Sequence, residues 1–437
     1  MKHVIAVIDI GKTNKKIFLF DNLFQVVSQN SIQFEEVKDD DGFCCDDIEA
    51  IERWIKNGIK QIQEQGLYRI KAINFSTHGA SLVYLDKDGK RITPLYNYLK
   101  PLNLDDYQSF YESQGGVEEF SRKTASPAYG MLNTGIQMLS LKRNKPEIWE
   151  QVSSILHYPQ YLSYLFTKKI TADFTSVGAH TATWDYDTMQ YHNWLKDEDI
   201  ELPQPCKGTE AVITEINGEQ IAVGSGLHDS SSSIIPLLKK EDESDFILLS
   251  TGTWIIAMNP FSKETLTQHQ LQNNCLCFMT PEKQQVKSSM QFLGRIHEVY
   301  IKALSDYFKV DINTHIDLVL NETLCNTLID QDARVFLSEG IDSDFEAHPE
   351  LLQKFQSYET AYFQLIYEIS KKVIKAIELI SDEKAVLKDV YISGGFNRNR
   401  IFIKFLELLK PSITIKISDC KNESALGAAL LMKDYLK

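Results

Sequence analysis

The chain has 437 residues, 43% of them hydrophobic and 24% charged, with a formal net charge of −14. That length exceeds what one hydrophobic core organises, so two domains are expected. The negative balance disfavours nucleic acid or an anionic membrane as main partner. With no uncharged apolar run of about 18 residues and no signal-peptide pattern after "MKH", a cytoplasmic protein is expected.

The chain opens with "VIAVIDIGKTNKKIFLF", residues Val4 to Phe20. It reads as a strand reaching Asp9, a polar turn at Gly11, and a second β-favouring run. "GKT" suggests a nucleotide P-loop, but that motif needs a glycine five residues earlier, where Ala6 stands, and a helix afterwards. A strand follows instead, so the segment is a hairpin with Asp9 near its tip and backbone donors around Gly11 to Asn14. Residues 25–34 supply a third strand, and "DDDGFCCDD" reads as a solvated loop containing Asp39 to Asp41.

Ile48, Ile51, Ile55, Ile59 and Ile62 then recur at helical spacing. Asp46 or Asp47 caps that helix and Gly66 ends it. "IKAINFS" is a strand, and "LVYLDKDGKRITPL" a hairpin turning at Asp88-Gly89. Its "DKDGK" is not a calcium loop, since Asn97 stands where a Glu is required. Residues 132–168 read as mostly helical, one helix starting at Pro146. "GSGLHDSSSSIIPLL" places Asp229 at a helix start, where N-terminal donors keep a carboxylate ionised. That Asp is either a simple helix cap or a base that takes a hydroxyl proton during phosphoryl transfer.

"LKKEDESD" at 238–245 is the candidate linker. The second half restarts with "FILLSTGTWIIAMNP", a hairpin with Gly252 and Thr253 at its tip. A long helix from about Leu351 to Ile380 follows, then the strand "KDVYISGG", a helix from about Arg398, the strand "SITIKIS" and a final helix "ESALGAALLMKDYL". His297 and Glu298 fall in a helix without further zinc ligands. The seven cysteines, Cys44, Cys45, Cys206, Cys275, Cys277, Cys325 and Cys420, lack zinc spacing and read as reduced thiols.

Each half thus carries a hairpin with a glycine-containing polar tip. Such tips are either ordinary turns or nests whose amides approach phosphate. Lys12, Lys15 and Lys16 add charge to the first, although neighbouring positions on a strand cannot all point one way. Gly394-Gly395 ends a strand before a helix, which is either a tight turn or a close approach to a flat ligand.

Taken together and in order, these segments resemble the FGGY carbohydrate kinase family over nearly the whole chain. The first phosphate signature is carried by Asp9, Gly11, Thr13 and Lys16, the second by "STGTW", and the adenosine signature by "ISGGFNRN" with "NESALGAALL". "FSTHGAS" resembles the sugar-contacting strand end, and "LHYPQYLSYLFTKKITADFTSVGAHTATWD" the family's middle segment. His228-Asp229 and Trp254 after the Gly-Thr are similar to the L-rhamnulose and L-fuculose kinase branch. Three features depart from the family pattern. Lys12 and Asn14 replace small hydroxyl residues, Phe396 replaces a third glycine, and "PLYNYLKPL" lacks the usual sugar-binding Asp and Arg.

The resemblance implies an α/β fold of two actin-like (RNase H-like) ATPase domains with a central catalytic cleft. A sugar-binding domain would span 1–238 and a nucleotide-binding domain 239–437. It implies ATP-dependent phosphorylation of a primary hydroxyl of a ketose, L-rhamnulose or L-fuculose, with Asp229 as catalytic base and Mg²⁺ held by Asp9 and Asp229. Nucleotide contacts would come from Gly11, Lys12, Thr13, Asn14, Lys15, Lys16, Gly252, Thr253, Gly394, Gly395 and Asn399. The sugar would meet Thr77, His78, Gly79, His228, Asp229 and Ser230, with Tyr96 or Tyr98 nearby. Partners are then a sugar and ATP, with a homodimer left open. The competing readings are a kinase for another ketose or polyol such as xylulose, a non-catalytic sugar or nucleotide sensor, and an actin-like ATPase acting on a protein.

Overall fold

A computed structural model of the protein describes residues 1–240, 245–338, 346–382, 389–418 and 420–436. The chain forms two compact units, one of Met1–Glu241, Cys277–Gln285 and Lys421–Lys437, the other of Asp242–Leu276 and Val286–Cys420. The candidate linker at 238–245 lies largely outside the described residues. Residues Lys421–Lys437, counted with the second half from the sequence, group with the first unit.

The first unit is built on a seven-stranded sheet. Its strands are β1 (Lys2–Ile10), β2 (Lys15–Phe20), β3 (Val26–Ile32), β4 (Tyr68–Thr77), β5 (Ala211–Ile216), β6 (Glu219–Gly224) and β7 (Leu227–His228). The order is β5-β6-β4-β1-β2-β3, with β7 also paired to β4. β1 and β2 form the expected antiparallel hairpin, with Asp9 opposite Lys16 and Ile10 opposite Lys15. β4 runs parallel to β1, bringing Thr77 level with Ile10, and β7 sets His228 level with Thr77. Three strand ends therefore meet at one carboxyl edge, where open α/β sheets place their ligands.

Helix α1 (Ile48–Glu64) buries Ile48, Ile51, Ile55 and Ile59 against the sheet, as the isoleucine spacing requires. Asp47, not Asp46, caps it by accepting the Ala50 amide at 2.9 Å. The region 132–168 is mostly helical as expected, with helices at Thr134–Asn144, Pro146–Trp149 and Tyr158–Thr167. A short strand, Ser154–His157, interrupts it and pairs with Leu82–Leu85, so Leu82–Leu85 takes that partner and keeps only a single bridge, Leu85 to Arg91, of the expected hairpin. Of Asp39 to Asp41, expected as a solvated run, Asp40 and Asp41 are exposed and Asp39 is buried. Their carboxylates gather around Lys100 and Lys145, and Asp40 accepts the Tyr96 hydroxyl at 2.8 Å. Helix α2 (Asp229–Ser233) follows β7 directly.

A six-stranded sheet is formed by β8 (Phe246–Thr251), β9 (Ile255–Asn259), β10 (Cys275–Met279), β11 (Gln285–Gln291), β12 (Asp389–Gly394) and β13 (Thr414–Ile417). All of it belongs to the second unit except Cys277–Met279 and Gln285, which group with the first, unlike the division at 238/239 expected from the sequence. Its order is β10-β11-β9-β8-β12-β13. β8 and β9 make the expected hairpin, and β12 runs parallel to β8 with Gly394 level with Thr251. Helices α3 (Leu293–Phe308), α4 (Tyr358–Leu379) and α5 (Arg400–Leu409) belong to the second unit. The long helix begins later than expected, because Ser357 caps it through the Thr360 amide and a separate 3₁₀ turn covers Pro349–Lys354. Helix α6 (Glu423–Leu430) closes the chain in the first unit.

Candidate active site

At the carboxyl edge of the first unit, Asp229 is the first residue of α2 and His228 is its N-cap. The simple-cap reading of Asp229 therefore does not hold. Its Oδ1 accepts the Ser230 amide at 2.6 Å and the Ser230 hydroxyl at 3.3 Å. His228 Nε2 lies 3.5 Å from the same oxygen, and the Asp229 side chain keeps 35% exposure. A carboxylate anchored by one oxygen and open to solvent is arranged to receive a proton.

Asp9, at the end of β1, accepts a hydrogen bond from Ser424 Oγ at 3.2 Å. Burial and then the negative charge of Asp229 push its carboxyl up to about 6, against the pull of Ser424 and Lys16. Two like-charged carboxylates in a partly buried setting form a hard oxygen donor set, which suits Mg²⁺.

The first polar turn is tighter than the sequence suggests. The Gly11 amide is used in closing it, donating to Asn14 O at 3.0 Å, and the Gly252 amide likewise donates to Trp254 O at 3.0 Å. The tip of the first turn is therefore offered by Lys12, Thr13 and Asn14, that of the second by Thr253. Lys15 departs most from expectation. It is buried, and its ammonium donates to Asp46 Oδ1 at 3.0 Å and to Lys12 O at 2.8 Å, so it does not face a phosphate. Lys12 pairs with Glu36 at 3.1 Å on the partly exposed turn.

Thr77, His78, Gly79, His228, Asp229 and Ser230 come together as expected, because β4 and β7 end side by side. Thr77 itself is buried, its hydroxyl turned to His78 O at 2.9 Å. A Cβ on Gly79 would lie 3.0 Å from the His228 ring, so the glycine admits the imidazole. Tyr98 joins them, 5.8 Å from the His78 ring, and senses the charge of Asp229. Tyr96 is committed to Asp40 instead.

Sequence reasoning missed His180 and Phe278, whose rings lie 6.2 and 5.5 Å from that of His228 and 5.8 Å from each other. Burial, then the neighbouring His228, pushes His180 down to about 3, and burial also lowers His228. The wall beside Asp229 is thus neutral and aromatic near pH 7. No sequence signal singled out Phe278, since it reaches the site through a strand distant in the chain.

The second unit has a cavity of about 770 Å³ lined by Gly252, Thr253, Gly294, His297, Phe396 and Asn399 among others. Gly394 has φ +83° and no room for a side chain, since a Cβ would lie 2.1 Å from Thr251 O. Thr251 Oγ1 accepts the Phe396 amide at 3.0 Å, fixing the turn after β12. Phe396 packs on His297 at 4.7 Å and Phe402 at 5.0 Å, forming an apolar floor where the family has glycine. Asn399 caps α5 through the Ile401 and Phe402 amides and donates to Tyr362 at 2.9 Å, so its side chain is a structural brace at the cavity wall. Gly294 was not anticipated, yet it lets the start of α3 meet the Gly252–Thr253 turn, where Arg295 N donates to Thr253 O at 3.0 Å.

Among the described residues, no helix is long and apolar enough to cross a membrane. Residues 4–235 match the N-terminal domain of the FGGY family of carbohydrate kinases. The rhamnulokinase of Halalkalibacterium halodurans is 27% identical over 260 residues, 56% of this chain and 52% of that protein. The chain's match thus spans about half the length of that curated relative. A carbohydrate kinase from Novosphingobium aromaticivorans has the same fold, with a TM-score of 0.82 at 18% identity over 98% of this chain and 91% of that one. A ligand-bound xylulose kinase from Lactobacillus acidophilus gives 0.79 at 17% identity, covering 99% and 89%. The α/β fold expected from the sequence is the fold of these two carbohydrate kinases.

Proposed function

We propose that this chain, which belongs to the FGGY family of carbohydrate kinases, transfers the terminal phosphate of ATP to a primary hydroxyl of a ketose, with L-rhamnulose or L-fuculose as first candidates. The observation that carries this reading is Asp229. It is a solvent-reaching carboxylate held by Ser230 at the carboxyl edge of the sheet, beside His228 and a neutral aromatic wall.

In this reading the sugar lies against Thr77 to Gly79 and His228, where the neutral His228 imidazole exchanges hydrogen bonds with uncharged hydroxyls. Asp229 takes the proton of the attacking hydroxyl as the bond to phosphorus forms. Asp9 and Asp229 would hold Mg²⁺, which neutralises phosphate charge when bound. The amides of Lys12 and Thr13, with Lys16, would stabilise charge on the transferring group. The cavity of the second unit would take the nucleotide, with its base on the Phe396–His297 floor.

The likeness to the rhamnulokinase and the His228-Asp229 pair favour a 6-deoxy ketose. The fold shared with a xylulose kinase favours D-xylulose as the second reading. The test is ADP production with Mg-ATP against L-rhamnulose, L-fuculose, D-xylulose, D-ribulose and glycerol. Turnover that depends on one ketose, and falls by about 10²–10⁴ in Asp229→Asn while ATP still binds, is the expected result. ATP hydrolysis without any sugar, or full activity in Asp229→Asn, overturns it.

A further inference from the structure

Lys15 opens β2 opposite Ile10 and is 1% exposed. Its ammonium makes two contacts of equal consequence. It reaches Asp46 Oδ1 at 3.0 Å, and it donates to the carbonyl of Lys12, inside the polar turn, at 2.8 Å. The other oxygen of Asp46 lies 3.7 Å from His78 Nε2. His78 is itself fastened to the end of β1, its amide donating to Ile10 O at 3.1 Å. One buried ion pair therefore touches both the phosphate turn and the sugar-contacting strand end.

Stability is a poor reason for such a pair. Removing two charges from water costs about as much as their attraction returns, and an apolar pair of similar volume commonly stabilises as well or better. Nor does Asp46 serve the helix it precedes, since Asp47 caps α1. The contact to Lys12 O supplies a better reason. The peptide between Lys12 and Thr13 is trans, because the chain contains no cis bond among the described residues. In a planar trans peptide the C=O and the following N–H point in opposite directions. A carbonyl drawn inward to Lys15 therefore turns the Thr13 amide outward, to the side on which an anion would sit.

We infer that Lys15 and Asp46 are a positioning pair that aims the Thr13 amide at the transferring phosphoryl group and holds His78 in register with it. This rests on the sugar-kinase reading. Lys15 is then a residue that acts through the backbone it orients and contacts no phosphate itself. Asp46 is held well ionised in this arrangement, since His78 and Lys15 outweigh the effect of its burial and bring its carboxyl down to about 2.

The test compares the native chain with Lys15→Met, Asp46→Asn and the double variant Lys15→Met/Asp46→Leu, by thermal melting and by kcat and KM for ATP and the ketose. Lys15→Met alone leaves the buried Asp46 without its ammonium partner and should lose stability. The double variant should melt at or above the native temperature, yet its kcat should fall by about 10²-fold, the cost of a small misplacement of catalytic groups. A merely structural pair predicts the reverse, with kcat unchanged in any variant that folds. Should the double variant not fold, Asp46→Asn, which preserves shape, carries the comparison, and a native kcat in it overturns the inference. A native chain that phosphorylates no sugar overturns the kinase reading and the pair's role together. An active native chain with a fully active double variant overturns the pair's role alone.

Discussion

Ser424 donates a hydrogen bond to Asp9 over 3.2 Å, joining residues 415 positions apart in the chain. The contact belongs to a broader brace. Ser232 donates to Ser424 O at 2.7 Å, and Asn74, inside β4, donates to Ala428 O at 2.9 Å. Helix α6 thus supports both the strand that ends in Asp9 and the short helix that begins with Asp229. The last residues of the chain position the two carboxylates on which the proposed chemistry depends.

Gly427 is the point where this brace is tightest. A Cβ there would lie 2.0 Å from Ser232 O, a backbone atom of α2 that cannot swing aside. In an open helix Gly→Ala would gain about 1 kcal/mol. Here the overlap should reverse the sign and cost about 1–3 kcal/mol, as overpacking does. Gly427→Ala is expected to lower the melting temperature and also kcat, because α2 must shift and Asp229 with it. A stabilised variant with native kcat would show that α6 does not set the position of α2.

How much of this was legible beforehand depends on the range of the interaction concerned. Short-range patterns were readable. The isoleucine spacing marked α1, the strand–turn–strand rhythm marked the hairpins at Gly11 and Gly252, and the Gly-rich run marked the start of α2. Long-range pairing was not. Lys15 and Lys16 look alike in sequence, and alternation says only that they face opposite ways. The partner that draws Lys15 inward is Asp46, 31 residues on. The acidic run gave no sign that Asp39 alone is buried, because its cation, Lys100, lies 61 residues on. The strand Ser154–His157 is too short to show a period and exists because Leu82–Leu85 offers an edge. Helix α6 appeared to belong with the sequence half that precedes it, since its Ala-rich face does not announce which core it fills.

Gly79 makes a prediction that separates the two substrates. Its missing side chain leaves room for the His228 ring, which a Cβ would meet at 3.0 Å. Gly79→Ala should displace that ring by a few tenths of an ångström. The expected result is a raised KM for the ketose with the KM for ATP unchanged, read from initial rates with each substrate varied in turn. An increase confined to ATP would remove His228 from the sugar site.

Gly294 makes the converse prediction. It lies in the first turn of α3, where alanine is normally the better residue. A Cβ at this position would lie 1.8 Å from Gly252 O and 2.9 Å from Thr253 O. Gly294→Ala should therefore push the second polar turn out of place, raising KM for ATP or lowering kcat while leaving the ketose KM alone. Calorimetric titration with ATP checks it directly, and unaltered affinity together with unaltered kcat would show that the turn has no part in holding phosphate.

Acid should reach the Lys15–Asp46 pair late, after the raised carboxyl of Asp9 has already taken its proton. Burial alone would raise the Asp46 carboxyl, but His78 and Lys15 bring it to about 2, below its ordinary 3.8. A carboxylate with a depressed folded value binds fewer protons folded than unfolded between those two values, so stability rises with pH across that window. The contribution, on the order of 2 kcal/mol, is complete above about pH 4 and is lost as pH falls through the folded value. Asp46→Asn removes the titrating group and leaves its shape. Native and variant stabilities from denaturant titrations should therefore differ most above pH 4, with the native chain the more stable, and should converge as pH approaches 2. A difference that stays constant across that range would mean that Asp46 contributes through packing alone, and a difference that grows on acidification would mean that its carboxyl is raised rather than lowered in the fold.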